Sequence, residues 1–394
     1  MESSDIVLLS GARTPMGSFQ GELATLTAPQ LGAGAIAAAV ARAGLTAADI
    51  GETLMGNVLP AGLGQAPARQ ASRFAGLPDS VPCTTVSKVC GSGMKAIMIG
   101  ADQVALGRAD IVVAGGMESM TNSPYILPKA RGGYRLGHGE IKDHMFLDGL
   151  EDAYEHRLMG TYAEEAARHY QFTREQQDAY ATQSLMRAKL AQGNGSFAGE
   201  IVGVKITGGK GGDTQVIQDE TARKADPAKI PTLKPAFAKD GTVTAANSSS
   251  ISDGAAALVV TRGDVATARG LKPMARIAAQ ASHAAEPKWF TTAPVGAIEK
   301  VLKLAGWKKD DVDLFEINEA FACVAMIAMR DLGLDHAKVN VNGGACALGH
   351  PIGASGARIV VTLLHALKTR GKTRGVASLC IGGGEATALA VELV

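Results

Sequence analysis

The sequence predicts an α/β fold made from one unit used twice, with a long insertion in the first copy. Three observations predict it. Short apolar runs (Ile6 to Leu9, Leu54 to Val58, Ile111 to Ala114, Gly254 to Val260) alternate with helix-period stretches (Leu31 to Ala43, Gln70 to Phe74, Met94 to Leu106). That alternation is the pattern of a mostly parallel sheet covered on both faces. The first-half pattern then returns from about residue 272 at a nearly constant offset. Between the copies, residues 121–250 turn polar, with glycine, proline and charge in shifting blocks.

The repeat is specific. Ala35-Ile36, Val40 and Ala43-Gly44 correspond to Ala297-Ile298, Leu302 and Ala305-Gly306, 262 positions on, and Asp49-Ile50 to Asp311-Val312 at the same offset. Ser92-Gly93 and Lys95 match Ser355-Gly356 and Arg358 at 263. Gly115-Gly116 and Glu118 match Gly382-Gly383 and Glu385 if four residues are inserted near Lys368 to Arg374. The expected units are therefore residues 1–120 plus 251–271, an inserted domain at 121–250, and residues 272–394. Inside the insertion, Tyr162 to Leu190 reads as helical and Gly208 to Asp213 as a loop, and an insertion of that length in a compact fold reads as functional.

Composition narrows the class. Lysine plus arginine (39) nearly equals aspartate plus glutamate (38), so no bulk charge argues for nucleic acid or a membrane surface. Five cysteines without paired spacing describe neither a disulfide framework nor a Cys-x-x-Cys site, which fits a reducing compartment. No uncharged apolar run reaches about 18 residues, and the start of the chain lacks a basic, apolar leader pattern. The expectation is a cytoplasmic, soluble protein. The eight histidines show no metal-ligand spacing. Arg370-Gly371-Lys372-Thr373 lacks the earlier glycine of a phosphate loop, since position 366 is Ala366, and no Gly-x-Gly-x-x-Gly follows a strand.

Reactive groups in such a fold sit where strands end and helices begin, and a duplicated unit brings two such edges together. Cys90, in Val89-Cys90-Gly91-Ser92-Gly93-Met94, lies between an extended run and a helix start, where the helix dipole favours a thiolate. A buried structural thiol is the alternative reading. His350 lies in the glycine-dense loop Gly349-His350-Pro351-Ile352-Gly353, and a histidine base beside a cysteine is a familiar nucleophile pairing. Cys380 ends an apolar strand before Gly382-Gly383-Gly384, and Asn318 follows the run Leu314 to Ile317. Read alone, Cys380 is a core thiol or a second reactive group, and Asn318 a turn residue or an oxyanion donor.

Together these sites resemble one family, the thiolases, and within it the short-chain, acetoacetyl-CoA-forming branch. The resemblance spans Ser10-Gly11-Ala12-Arg13-Thr14-Pro15 to Gly384 and rests on Cys90 to Ala96, Asn318-Glu319-Ala320-Phe321, Gly349 to Gly356 and Cys380 to Gly384. It implies βαβαβαββ halves packed as an α-β-α-β-α core, with the insertion as a loop domain that binds coenzyme A. It implies that Cys90 carries the acetyl group with His350 taking its proton, and that Cys380 moves the α-proton of a second acetyl-CoA. A water on Asn318 with His350, and the N–H groups of Cys90 and Gly382, would hold the thioester oxygens. By position, Ser249, Phe237, Arg223 and Met159 would line the coenzyme channel, with a solvated charge as the other reading of Arg223, and Phe321 and Phe290 would border the acyl pocket. Implied partners are acetyl-CoA, acetoacetyl-CoA and coenzyme A, with no cofactor or metal, and a homodimer or dimer of dimers.

Leu158, Tyr162, Phe290 and Cys346 depart from the usual acetoacetyl-type residues, which leaves a broader degradative 3-ketoacyl-CoA thiolase and a non-enzymatic binding protein as alternatives. Cys83, Cys323 and Cys346 read as packing residues.

Overall fold

The structure, a computed structural model, describes residues 2–209 and 212–394. The first half runs β1 (Ile6–Arg13), β2 (Gly17–Ser18), α1 (Ala28–Arg42), β3 (Glu52–Gly56), α2 (Pro67–Phe74), β4 (Cys83–Val86), α3 (Ser92–Ala105) and β5 (Ile111–Ser119). Next come β6 (Tyr125–Ile126), β7 (Lys142–Asp143), α4 (Met159–His169), α5 (Arg174–Gly193), the antiparallel pair β8 (Val204–Gly209) and β9 (Gly212–Val216), and α6 (Glu220–Lys224). The chain then returns as β10 (Ser252–Arg262), α7 (Gly263–Ala268), β11 (Ala275–Ala284), α8 (Ala293–Ala305), β12 (Leu314–Ile317), α9 (Ala322–Leu332), α10 (Ala345–Leu348), α11 (Ile352–Thr369), β13 (Arg374–Ile381) and β14 (Glu385–Leu393).

The ten-stranded sheet has the order β12-β13-β14-β11-β1-β10-β5-β3-β4, with β2 paired on β10. Its two halves share one topology. β4-β3-β5-β10-β1 in the first is answered by β12-β13-β14-β11 in the second, and the counterpart of β4 is reduced to a single parallel bridge from Phe315 to Val339. Within the sheet, the described residues of the two halves pair only at Val7 with Arg276 and Leu8 with Ala275. The expectation of a mostly parallel sheet is corrected. Among the named strands of the described residues only β3 with β4, β3 with β5, and β12 with β13 are parallel. β13 and β14 are joined by a turn of three residues, too short for the crossover a parallel pair needs, and β10, which re-enters after the insertion, runs antiparallel to β5.

The layers follow from where apolar residues fall. Helix α11 is buried on every side along most of its length, polar Ser355, Arg358 and Thr362 included, which places it inside the molecule. With α3 it forms the middle layer, packed against β3, β5 and β10 on one side and β13 and β14 on the other. Helices α1 and α2 cover the outer face of the first half-sheet, and α8 and α9 that of the second. The repeated Ser-Gly pair sets the contact between α3 and α11. A Cβ on Gly356 would lie 2.4 Å from Met94 N, and one on Gly93 2.9 Å from Ala357 N. Glycine at both positions lets the two helix starts touch.

Strand register corrects one part of the repeat. Leu54 pairs with Ala114 and Glu316 with Ala377, so β5 maps on β13 at the offset of 263 with no insertion. Gly115-Gly116 lies within β5, whereas Gly382-Gly383 lies beyond the end of β13, so that match was coincidental. β1 likewise continues past Ser10-Gly11 to Arg13 across an irregularity between Leu8 and Ser10. The helical stretch 162–190 is two helices, broken where Gln171 adopts φ +56° and Thr173 caps α5, its Oγ1 accepting from Gln176 N. The loop expected at 208–213 includes residues 210 and 211, outside the described residues, and its described flanks belong to β8 and β9.

Arg13 fastens the insertion to β1. Its Nε donates to Glu200 Oε1 at 2.5 Å, and Nη1 and Nη2 donate to Asp219 Oδ1 and Oδ2 at 2.6 and 2.9 Å, all fully buried. Fork-to-carboxylate geometry with two acids makes such burial tolerable.

Candidate active site

Cys90 sits in the turn between β4 and α3. The preceding Val89 has φ +44°, costly for a β-branched residue. Ser92 holds the turn in place, its Oγ donating to the Val89 carbonyl at 2.7 Å and accepting from Lys88 N at 2.8 Å. Lys88 in turn pairs with Glu385 at the start of β14, so the Cys90 turn and the Gly382 turn are tied across the two halves. The Gly382 N–H is close enough to the Cys90 sulfur to pull its pKa down. Cys380, at the end of β13, is buried in one apolar cluster with Phe290, Phe321, Ala320 and Tyr162.

His350 enters from the second half just ahead of α11. Asn318 Nδ2 lies 3.4 Å from His350 Nε2, and His350 Nδ1 lies 2.5 Å from Ser355 Oγ. Ser355 Oγ already donates to the Pro351 carbonyl at 2.9 Å, so it accepts from Nδ1–H. The basic nitrogen is therefore Nε2, on the Asn318 side. Asn318 follows β12 with its backbone N–H on Ser378 O at 3.0 Å, and its Oδ1 is buried with no partner among the described residues. Its neighbour Glu319 is locked by donors from Tyr180, Ser184, Asn340 and the Cys346 backbone at 2.7 to 3.1 Å. Behind them the buried pair Arg358–Glu316, at 2.8 Å, joins α11 to β12.

Electrostatics reverse one expectation. Burial pushes the Cys90 thiol up to about 11 even though backbone N–H groups pull it down, so desolvation outweighs the helix start and the resting group is a thiol. Burial, helped by the Arg358 charge, pushes His350 down to about 3, so the imidazole is neutral at pH 7. Burial likewise raises Cys380 well above the ordinary thiol range. The resting site is thus uncharged, with the proton on sulfur.

Cys90, His350 and Gly382 all line one cavity of about 540 Å³. Met159, Phe237, Phe290, Phe321 and Ser249 line the same cavity. Cys380 and Asn318 lie directly behind its wall rather than on it. Arg223 does not join them. It pairs with Glu22 and borders a separate cleft with Gln215 and Ile217, because α6 turns its basic end away from the cavity. Sequence reasoning missed Phe19, Phe146, Leu150 and Ile352, which also line the cavity. Ile352 stood in a recognised motif. The others come from segments without periodicity, and only the fold brings them in. Leu158 lines the cavity and Tyr162 is buried beside it, with the Arg157 guanidinium over its ring. Cys323 and Cys346 are buried and Cys83 is half-buried, all as free thiols.

Comparison with known proteins gives the family. Residues 6–264 match the model of the thiolase N-terminal domain and residues 271–393 that of the thiolase C-terminal domain. The chain is 53% identical over 99% of its length to acetyl-CoA acetyltransferase 2 of Arabidopsis thaliana, covering 97% of that protein. It is 50% identical to the acetyl-CoA acetyltransferase of Cupriavidus necator, with 99% of each covered. Among solved structures it resembles the Bacillus anthracis acetyl-CoA acetyltransferase (TM-score 0.96, 41% identity, 99% of each chain). It also resembles the Acat5 thiolase of Ascaris suum in complex with coenzyme A (TM-score 0.93, 45% identity, 99% of this chain and 100% of that one). With both domain models matched along nearly its whole length, and relatives of about 50% identity that cover it end to end, this chain belongs to the thiolase family.

Proposed function

We propose that this chain is an acetyl-CoA C-acetyltransferase, joining two acetyl-CoA molecules reversibly into acetoacetyl-CoA and coenzyme A through an acetyl group carried on Cys90. The observation that carries the reading is that Cys90, His350 and Gly382 line one apolar cavity, with Asn318 against His350 and Cys380 packed behind the lining Phe290 and Phe321. Relatives of about 50% identity that bear this name support it.

Cys90 Sγ attacks the thioester carbon while its proton passes to His350 Nε2. The neutral thiol and neutral imidazole mean that this transfer accompanies bond formation. His350 then gives the proton to the departing coenzyme A sulfur. For the second acetyl-CoA, Cys380 sheds its proton towards His350 and takes one from the α-carbon. The carbanion attacks the acetyl carbon on Cys90, and the released Cys90 sulfur recovers the proton held by His350. The enolate oxygen needs donors already in place, a need met in this reading by His350, a water on Asn318 and the Cys90 and Gly382 N–H groups.

Phe237, Met159 and Ser249 would hold the pantetheine arm, and Phe290 and Phe321 the acetyl end. Their rings pack edge to face at 6.3 Å, narrowing that end, so the broad-chain alternative is not favoured. The same proposal includes action without cofactor or metal, in the cytoplasm, as a homodimer or homotetramer. Exposed Tyr125, Leu127, Leu136 and Ile141, clustered on one segment of the insertion, support self-association.

The test is coenzyme A-dependent cleavage of 3-ketoacyl-CoA thioesters of increasing length. A sharp preference for acetoacetyl-CoA, with condensation in reverse, is expected. Activity that rises with chain length, or a Cys90→Ser variant with full turnover, would overturn the reading.

A further inference from the structure

We propose that Glu118 is the positioning residue that sets His350 against Cys90 across the two halves. The inference rests on the functional reading above and gives a role to a carboxylate which that reading leaves without one. Glu118 lies near the end of β5 and is fully buried. Its oxygens collect four N–H donors. Oε1 accepts from Asn57 Nδ2 at 2.5 Å and Leu59 N at 3.2 Å, and Oε2 from Val58 N and Gly353 N, both at 2.9 Å.

The origin of those donors is what matters. Three belong to the loop after β3 in the first half. The fourth is in the opening turn of α11 in the second half, three residues after His350 and two before Ser355, which holds the imidazole. The Gly353 N–H is one of the donors that a helix leaves unpaired in its first turn, and a carboxylate there is also favoured by the helix dipole. Val58, Leu59 and Ile352, flanking these bonds, form one apolar cluster against which Cys90 packs. A single carboxylate therefore connects the wall behind the nucleophile to the helix start that presents the base.

The fit leaves little play. A Cβ on Gly353 would lie 2.5 Å from Glu118 Oε2, and one on Gly116 2.0 Å from the Gly353 carbonyl. Burial and nearby Asp253 push the Glu118 carboxyl up to about 7, against the pull of the Val58, Leu59 and Gly353 N–H groups. A carboxyl in so costly a place is explained by the donors it gathers. Glu118 does not line the cavity, so it acts through Gly353 and the Asn57 loop rather than on substrate.

Glu118→Gln tests this, because the side chain keeps its size while one acceptor oxygen becomes a donor facing other N–H groups. We expect kcat, normalised to Cys90 titrated by a thiol reagent, to fall about ten- to hundredfold, as for a displaced catalytic group. KM for acetoacetyl-CoA should stay within about twofold, because the cavity wall is untouched, and single-turnover acetylation of Cys90 should slow in parallel with kcat. An unchanged kcat, or a loss that vanishes on normalisation, would overturn the proposal. So would a crystal structure of the variant in which His350 and Asn318 keep the 3.4 Å separation, whatever the reaction proves to be. If Glu118→Gln does not fold, Asn57→Ala decides. It should lower normalised kcat about threefold or more, and a wild-type value would sink the idea. Failure of the wild-type chain to cleave acetoacetyl-CoA would count against the functional reading instead.

Discussion

An uncharged resting site makes a sharp prediction about the chemistry of Cys90. With its thiol pushed up to about 11, the thiolate fraction at pH 7 is about one in ten thousand, against about one in a hundred at the ordinary value of 9.0. A higher pKa also makes the thiolate a better nucleophile, by about 0.4–0.5 log units per pKa unit, which returns roughly tenfold. Iodoacetamide should therefore alkylate Cys90 about tenfold more slowly at pH 7 than an exposed thiol. The rate should climb about tenfold per pH unit from 7 to 9, since a raised pKa leaves the reactive form growing throughout that window. The assay is mass spectrometry of the Cys90 peptide in a Cys380→Ser background. A rate that is flat between pH 6 and 8 would indicate a preformed thiolate–imidazolium pair. It would refute the argument that desolvation outweighs the helix start.

Three other outcomes follow from the same geometry. Cys380→Ser should still take an acetyl group on Cys90 yet lose condensation by about a thousandfold or more, and normal condensation would remove Cys380 from the proton path. Phe290→Ala should open the acyl end, raising the ratio of longer to acetoacetyl substrates about tenfold or more and costing about 3–5 kcal/mol of stability. An unchanged ratio would place the size limit elsewhere. Arg13→Met strands Glu200 and Asp219 in the interior and should destabilise the chain by about 3–5 kcal/mol. A denaturant midpoint at the wild-type value would show that the insertion is held mainly by other contacts.

The duplication was legible because both copies bury the same helix face. Ala35, Ile36 and Val40 on α1 and Ala297, Ile298 and Leu302 on α8 sit under equivalent strands, and the packing requirement repeats with the topology. Asp49 and Asp311 likewise cap equivalent turns, accepting from Thr46 N and Lys308 N. Strand limits were less legible. β1 and β5 run straight through glycines that mark turns elsewhere, because a strand flanked on both sides takes its backbone partners from its neighbours.

The sequence by itself determined the α/β class, the repeat, the inserted segment and the four turns that carry Cys90, Asn318, His350 and Cys380. Each of these is a local pattern of polarity and small residues, readable without knowing what lies opposite. Tertiary structure alone decided what is near what and what is charged. It brought Phe146 and Leu150 from the insertion to the cavity and turned Arg223 away from it. It joined Glu118 to Gly353 across 235 positions of chain. It also left Cys90 a thiol where the helix start alone favours a thiolate. Proximity between distant segments and loss of water are properties of the assembled molecule, and pKa values depend on both.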